Sequence, residues 1–406
     1  MSKTELQKRA IIKQLYFGGT ISCAEISDRT EKSITLTAKL LNELVESGVV
    51  QEKGLAPSTG GRRPATYSLK PDVLYILSVA MDQYVTRFVI MDMQNEFVTD
   101  TKNLQLPLKN NPQALQTLIY EIEQFIAESG IPKEKIAGIG IGMPGFVDVN
   151  KGVNYSFLQA GGKNLKMLIS EQVGLPVFID NDSSLIALAE LRFGTARDKT
   201  NVMVINFGWG VGLGLILHKQ IFRGYNGFAG EFSHIPLFQN GKLCSCGKTG
   251  CLETETSLLV IIEKAKEGIC KGRTSALQIE GLDNVEQANE VLSQAAQNGD
   301  QFAVELFSET AYNIGRGVAI LIHLLNPEII VLSGRGSTAG FVLQAPIQRA
   351  LNDHCIPRLA ASTTIELSNL GHEAELIGAA CLVMEQIDKI GIRSSTKRSL
   401  DPIIRK

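Results

Sequence analysis

The chain has 406 residues, of which 44% are apolar and 20% charged, and a net charge of −2. That is long enough for two or three domains with sizeable cores, and the even charge balance excludes a polycation. No apolar run reaches the length of a membrane span, which speaks against membrane insertion, and the opening MSKTELQKRA does not read as a signal peptide. Seven cysteines are an odd number, and Cys23, Cys270, Cys355 and Cys381 are scattered, so the pattern points to a reducing cytoplasm rather than a secreted disulfide framework.

Charge is unevenly spread. Residues 1–70 hold eleven Lys/Arg against seven Asp/Glu, a balance of +4 on an acidic body. Within this head, residues 5–17 have helical composition and Gly18-Gly19 stops them. Ser22 is a candidate N-cap for a short helix over 23–29, and Ser33 for a longer one that runs to about Ser47 and ends at Gly48. Thr37, Leu40, Leu41, Leu44 and Val45 form one stripe at helical spacing, leaving Thr35, Leu36, Lys39 and Asn42 on the outer face. A short helix, a turn and a longer helix with a polar face predict a helix-turn-helix whose second helix enters the major groove. Val49-Val50 then leads into QEKGLAPSTGGRRPATYSL, two short strands around a Gly/Ser/Pro/Arg tip. That is a wing, with Arg62 and Arg63 in reach of phosphates or a minor groove. The candidate DNA-reading set is Ser33, Thr35, Lys39, Asn42, Arg62 and Arg63, for operator DNA. The alternative is a small helical domain with a flexible linker.

From Val73 the composition changes. VLYILSVAMD and TRFVIMDM predict strands, with a third over 96–101, then a helix over 112–129. IAGIGIGMPGFVD (136–148) and LPVFIDND (175–182) predict buried strands, the second running into the helix SSLIALAELRFG. NVMVINFGWGVGLGLIL (201–217) pairs two strands about a glycine-rich turn, and PEIIVLSGRGS (327–337) is a strand running into another glycine turn. Hairpins mixed with α/β units over two halves predict a duplicated α/β body with a cleft between lobes.

GEFSHIPLFQNGKLCSCGKTGCLE (230–253) brings His234, Cys244, Cys246 and Cys251 into one short stretch. Three thiolates and an imidazole fill a tetrahedral zinc shell with no open position, which favours a structural metal over a catalytic one. CxC spacing is short for a redox pair, and a dithiol would leave His234 and Cys251 unexplained; the bland alternative is three loop thiols.

GEFSH with CSCGKTGCLE, IGMPGFVD, IDND and GHEAELIGAACLV (371–383) resemble the ROK family of repressors and sugar kinases, and the resemblance runs nearly the whole chain. It implies an α/β protein with an N-terminal winged helix-turn-helix over 1–70 and a two-lobed actin-like ATPase body. The lobes are expected over 71–182, with the C-terminal helix 374–390 as a candidate to complete it, and over 183–390 with the zinc knot; a tail of 391–406 follows. It also implies structural zinc on His234, Cys244, Cys246 and Cys251, and a sugar held by Asn181, Asp182, Glu231, His234 and Glu253. A zinc-bound histidine has its second ring nitrogen fixed as a donor, which suits a sugar hydroxyl.

Asp182 matches the catalytic base of the kinases, but the phosphate loops are altered. The family's DxGGT aligns with Ala80, Met81, Asp82, Gln83 and Tyr84, so the metal-site aspartate is Ala80 and two glycines are Asp82 and Gln83. The second loop keeps Gly208, Gly210, Gly212 and Gly214 but carries Trp209 for threonine, and the adenosine-side glycine pair reads Ser333-Gly334. The expectation is a repressor, not an enzyme, that binds a sugar or sugar phosphate and acts as a homodimer or tetramer on DNA in the cytoplasm and nucleoid, with Asp182 a relic of the kinase base. Rival readings are a sugar kinase with an accessory head and a switch governed by a protein partner.

Overall fold

Serines set the helices of the head. In the computed structural model, which describes residues 2–56, 63–158 and 160–390, α1 (Lys3–Gly18) opens on Ser2 and α2 (Cys23–Thr30) on Ser22, after the short strand β1 (Ile21–Ser22). Each serine is in a capping box, with Glu5 and Glu25 closing it, so two orphan amides are satisfied at each helix start. Ser33 caps α3 (Ile34–Glu46), its Oγ accepting from the Leu36 amide at 3.3 Å. Thr37, Leu40, Leu41 and Leu44 are buried as the stripe predicts, but Val45 is 37% exposed and leaves it. The wing strands β2 (Val50–Leu55) and β3 (Ala65–Leu69) join β1 in a three-stranded antiparallel sheet of order β1-β3-β2. Arg62, the rest of the wing tip and the 391–406 tail lie outside the described residues.

The chain divides into two units, residues 1–181 with 376–406, and residues 182–375. In the first, β4 (Tyr75–Met81), β5 (Val85–Met91) and β6 (Lys102–Gln105) form an antiparallel meander. The helix α4 (Ala114–Glu128) follows, then β7 (Ile136–Met143), the small hairpin β8 (Val147–Asp148) and β9 (Val153–Asn154), α5 (Leu165–Val173) and β10 (Val177–Asn181). β7 and β10 add parallel strands beyond β4, giving the order β10-β7-β4-β5-β6. The third strand is not over 96–101 as the apolar run suggested. There Asp92 Oδ1 takes the amides of Gln94 (2.7 Å) and Glu96 (3.0 Å), which turns the chain, and the regular ladder on β5 begins only at Lys102.

The second unit repeats the plan. It opens with α6 (Asp182–Arg192), then β11 (Val202–Phe207), β12 (Val211–Leu217) and β13 (Gln220–Ile221) form the meander. Four helices follow, α7 (Glu253–Thr256), α8 (Leu258–Cys270), α9 (Val285–Gln297) and α10 (Gln301–Leu325). β14 (Ile329–Ser333), α11 (Gln344–His354), α12 (Pro357–Ala360) and β15 (Thr364–Leu367) complete the sheet in the order β13-β12-β11-β14-β15, with β14 and β15 parallel to β11. Both sheets are thus a three-stranded meander extended by two parallel strands, the duplication expected of the body.

Glycines decide where a helix can lie on each sheet. In β7, Gly138, Gly140 and Gly142 alternate with the buried Ile139 and Ile141, so one face is bare. The last helix, α13 (Ala374–Glu385), lies on that face, and a Cβ on Gly140 would come within 2.0 Å of the Ala379 carbonyl oxygen. β12 repeats the device with α6, where a Cβ on Gly214 would meet Ala187 Cβ at 2.3 Å and the Ser183 carbonyl oxygen at 2.6 Å. Gly140→Ala should therefore destabilise the first unit by at least about 3 kcal/mol, because backbone cannot give as a side chain can. An unchanged midpoint in chemical denaturation would show that α13 does not press on β7. The regular helix stops at Glu385, short of the expected 390, and a 3₁₀ turn follows over Ile387–Lys389.

The first unit also fixes the head to its own sheet domain. Arg9 is fully buried on α1 and donates through Nη1 to the Ile387 carbonyl oxygen at 3.2 Å. Lys13 Nζ meets Glu385 Oε2 at 2.5 Å, and the Tyr16 hydroxyl donates to Asn95 Oδ1 at 3.1 Å.

Candidate functional site

The knot residues come together. The ligand atoms of His234, Cys244, Cys246 and Cys251 all lie within 4.8 Å of one another, with His234 Nδ1 3.5 Å from Cys244 Sγ and Cys246 Sγ 3.6 Å from Cys251 Sγ. Tetrahedral bonds of zinc length put ligand atoms roughly 3.3–3.8 Å apart, so the donor set fits a metal ion. Leu243 and Thr249 form a bridge that folds the CSCG turn back, and Pro236 bridges Cys251, which delivers the last thiol to the histidine. Burial and its neighbouring thiols push Cys251 up to about 12, whereas the exposed Cys246 is held below the ordinary 9.0, chiefly by the Lys248 amide.

With Nδ1 turned to the thiols, His234 Nε2 points the other way, 3.8 Å from Glu231 Oε2. Glu231 precedes a 3₁₀ turn over Phe232–His234. Burial raises the Glu231 carboxyl, opposed by His234 and reinforced by Glu253. Glu253 is raised by burial too, and it accepts from the Val211 amide in the glycine turn. Glu231, His234 and Glu253 thus share one electrostatic neighbourhood.

Asp182 heads α6 in the second unit. Its Oδ1 accepts from the Ser183 amide at 2.7 Å, and its Oδ2 accepts from Asn206 Nδ2 at 3.4 Å. Asn206 also donates to Ser183 Oγ at 3.1 Å. Sequence reading missed Asn206 and Ser183; the only signal was their position, near the end of β11 and just after β10. The turn after β11 touches both groups: a Cβ on Gly210 would lie 2.5 Å from Glu253 Oε2, and one on Gly212 would lie 1.9 Å from Ser183 Oγ. Gly210 and Gly212 therefore have a steric reason, independent of any phosphate. Asn181 closes the first unit, where its side-chain amide donates to the Gly145 carbonyl oxygen at 3.1 Å.

The two turns that align with the family's phosphate loops both make contacts of their own. Asp82 Oδ1 accepts from the Tyr84 amide at 2.7 Å and the Val85 amide at 2.8 Å. Two backbone donors of that turn are thus taken by its own carboxylate. Trp209 is 5% exposed, with the Arg335 guanidinium 4.8 Å over its ring, and Glu286 pairs with Arg335. A cavity of about 260 Å³ lies beside this stack, lined by Glu286, Asn289, Arg335, Thr338 and His372 among others.

In the head, Thr35, Lys39 and Asn42 are exposed on one face of α3, and Arg63 is exposed at the foot of β3. Ser33 is exposed but spends its hydroxyl on the cap. Ile34, 56% exposed at the first position of α3, was missed; an apolar group there suits a thymine methyl.

A winged head, two sheets of one plan and a Cys₃His knot define a protein with a DNA-binding type of head on an actin-like ATPase body. The sequence profile of the ROK family matches residues 79–386, and the chain belongs to that family. It is 27% identical to the xylose repressor of Caldicellulosiruptor bescii over 390 residues, covering 94% of this chain and 96% of that one. It is 26% identical to the DNA-binding transcriptional dual regulator NagC of Escherichia coli K12, covering 93% and 92%. The glucokinase of Halalkalibacterium halodurans is 37% identical over 258 residues, 63% of this chain and 78% of that one. Among solved structures, a ROK family transcriptional regulator homologous to the E. coli MLC protein matches with a TM-score of 0.77 at 24% identity over 99% of both chains. A ROK glucokinase from Streptomyces griseus, in complex with glucose and AMPPNP, matches with a TM-score of 0.66 at 27% identity over 76% of this chain and 98% of that one. No helix among the described residues is long and apolar enough to cross a membrane.

Proposed function

We propose that the chain is a sugar-responsive transcriptional repressor that binds operator DNA through its winged head and a sugar or sugar phosphate through its body, without phosphorylating it. Relatives that match it over more than nine-tenths of both chains, one named a xylose repressor and one a DNA-binding transcriptional dual regulator, support this reading. The glucokinase likeness favours a kinase, and one observation speaks against it: Asp82 takes two amides, those of Tyr84 and Val85, in the turn that aligns with the first phosphate loop. Phosphoryl transfer is almost wholly positioning and charge stabilisation, so a chain that cannot seat the nucleotide keeps the sugar site alone.

In this reading Asp182, Glu231 and Glu253 accept from sugar hydroxyls, His234 donates through Nε2, and Asn181 joins them. Zinc is the metal that best fits three thiolates and an imidazole; it orients the His234 ring and anchors the loop. Head and footprint call for a homodimer or a dimer of dimers on a palindromic operator.

The test is a thermal-shift and calorimetry panel of D-xylose, D-glucose, N-acetyl-D-glucosamine and the 6-phosphates of the last two, followed by titration of an operator duplex obtained by in vitro selection. One sugar should stabilise the protein by about 2.7 kcal/mol at a hundredfold excess over its Kd and shift operator affinity. Asp182→Asn should weaken that sugar about tenfold or more, the usual effect of removing a charged acceptor, with operator affinity unchanged in its absence. Sugar-dependent ADP release from Mg-ATP would overturn the reading.

A further inference from the structure

We propose that Glu190, buried near the end of α6, is the positioning residue through which the sugar site is coupled to the DNA-reading head. The proposal takes its starting point, sugar at Asp182, from the reading above; its course follows contacts that reading does not use.

Asp182 and Glu190 stand at opposite ends of α6, about two turns apart. Glu190 is 0% exposed, and its carboxylate gathers three donors from distant parts of the second unit. Oε2 accepts from the Thr195 amide at 3.0 Å, while Oε1 accepts from the hydroxyls of Ser333, at 3.4 Å, and Ser368. Ser333 ends β14. Ser368 starts the turn that leads into α13, and its Oγ accepts in turn from the amides of Leu370 and Gly371, each at 3.1 Å.

From that turn the route is covalent. α13 has its first residues, Ala374 and Glu375, in the second unit and the remainder in the first. Its far end holds the head: Glu385 pairs with Lys13, and the Ile387 carbonyl accepts from the buried Arg9, both on α1. Between its ends the helix is clamped on β7 by the approach of Ala379 to Gly140. A helix so clamped is a stiff element with one end at the Ser368 turn and the other at α1.

Stability alone does not explain a carboxylate here. Burial raises its pKa and its three neutral donors only oppose that rise, a desolvation cost that a well-packed apolar side chain would not incur. The carboxylate does fix hydrogen-bond direction. As a pure acceptor it obliges both serines to donate, and Ser368 then keeps its lone pairs for Leu370 and Gly371. Glu190→Gln preserves the shape but puts an amide donor against either the Thr195 amide or a serine oxygen already accepting twice.

The experiment compares the full chain with Glu190→Gln, Ser368→Ala and the double variant, using the sugar panel above and the selected operator. Melting temperature, sugar Kd and operator Kd with and without sugar are measured for each. Each single variant should keep its sugar and sugar-free operator affinities within about twofold. The sugar-induced change in operator affinity, ordinarily on the order of five- to a hundredfold for such coupling, should fall below about threefold. The double variant should be no worse than either single one, as befits members of one network. A variant that binds sugar and responds fully overturns the proposal, and so does one that loses sugar and operator affinity together, which marks general damage. Should Glu190→Gln fail to fold, Ser368→Ala carries the same decision. If the parent itself shows no sugar response, the sugar reading falls and the relay with it; if the parent responds and the variants match it, only the relay falls.

Discussion

Cys246→Ala protein should be purified without stoichiometric metal and should melt well below the parent. The substitution leaves His234, Cys244 and Cys251 and frees the CSCG turn from the cluster that the Leu243–Thr249 bridge folds toward it. A metal that binds only the native state stabilises it by about 4 kcal/mol at a thousandfold excess over its Kd. For a unit of roughly two hundred residues that is a fall of roughly 10 °C in melting temperature. Sugar affinity should drop as well, since a metal on His234 Nδ1 would hold the ring with Nε2 toward Glu231. Elemental analysis and calorimetry, with chelated parent as the matched control, provide the check. A parent that carries no metal, or a Cys246→Ala protein that melts with the parent, would refute the structural role.

Lys39→Ala and the pair Arg62→Ala, Arg63→Ala should weaken operator binding in distinguishable ways. Lys39 is exposed on the outer face of α3, so its loss should cost about 1–3 kcal/mol at one base position and relax specificity there. The arginine pair should act on phosphates. Binding should weaken across all sequences, and the slope of log affinity against log salt should flatten by about 0.9 for each phosphate that is no longer neutralised. The measurement is a salt titration on the selected operator and on a scrambled duplex. Equal affinities and slopes for parent and variants would remove these residues from the interface.

Which features were legible follows from how local their causes are. Ser22 and Ser33 were readable as caps because capping is settled within three or four residues, and the Cys₃His set because its ligands span only eighteen positions. The duplicated sheets were readable from runs of Val, Ile and Gly. Where a run had to choose its partner, local reading failed: residues 96–101 look like strand, but the Asp92 carboxylate turns the chain and Lys102–Gln105 takes the ladder. Asp82 was legible as an obstacle, though not as an acceptor that uses up two amides. Gly210 and Gly212 look like phosphate glycines, while in the fold they make room for Glu253 and Ser183. Glu190, Ser333 and Ser368 could not be grouped at all, since Glu190 and Ser368 are unremarkable in their segments, Ser333 stood out only as a changed glycine, and only the fold assembles them.

The clamp of α13 on β7 also bears on the order in which the chain is made. Residues 1–181 leave the ribosome first, yet the helix that covers the bare glycine face of β7 and supplies the acceptors for Arg9 and Lys13 is translated after the whole second unit. Domains that fold during synthesis ordinarily close as they emerge. Here Arg9 and Lys13 of the head stay without their acceptors until the second unit has been made. A ribosome that stalls before Leu376 thus releases a fragment in which α1 keeps its bond from Tyr16 to Asn95 but lacks the acceptors of Arg9 and Lys13.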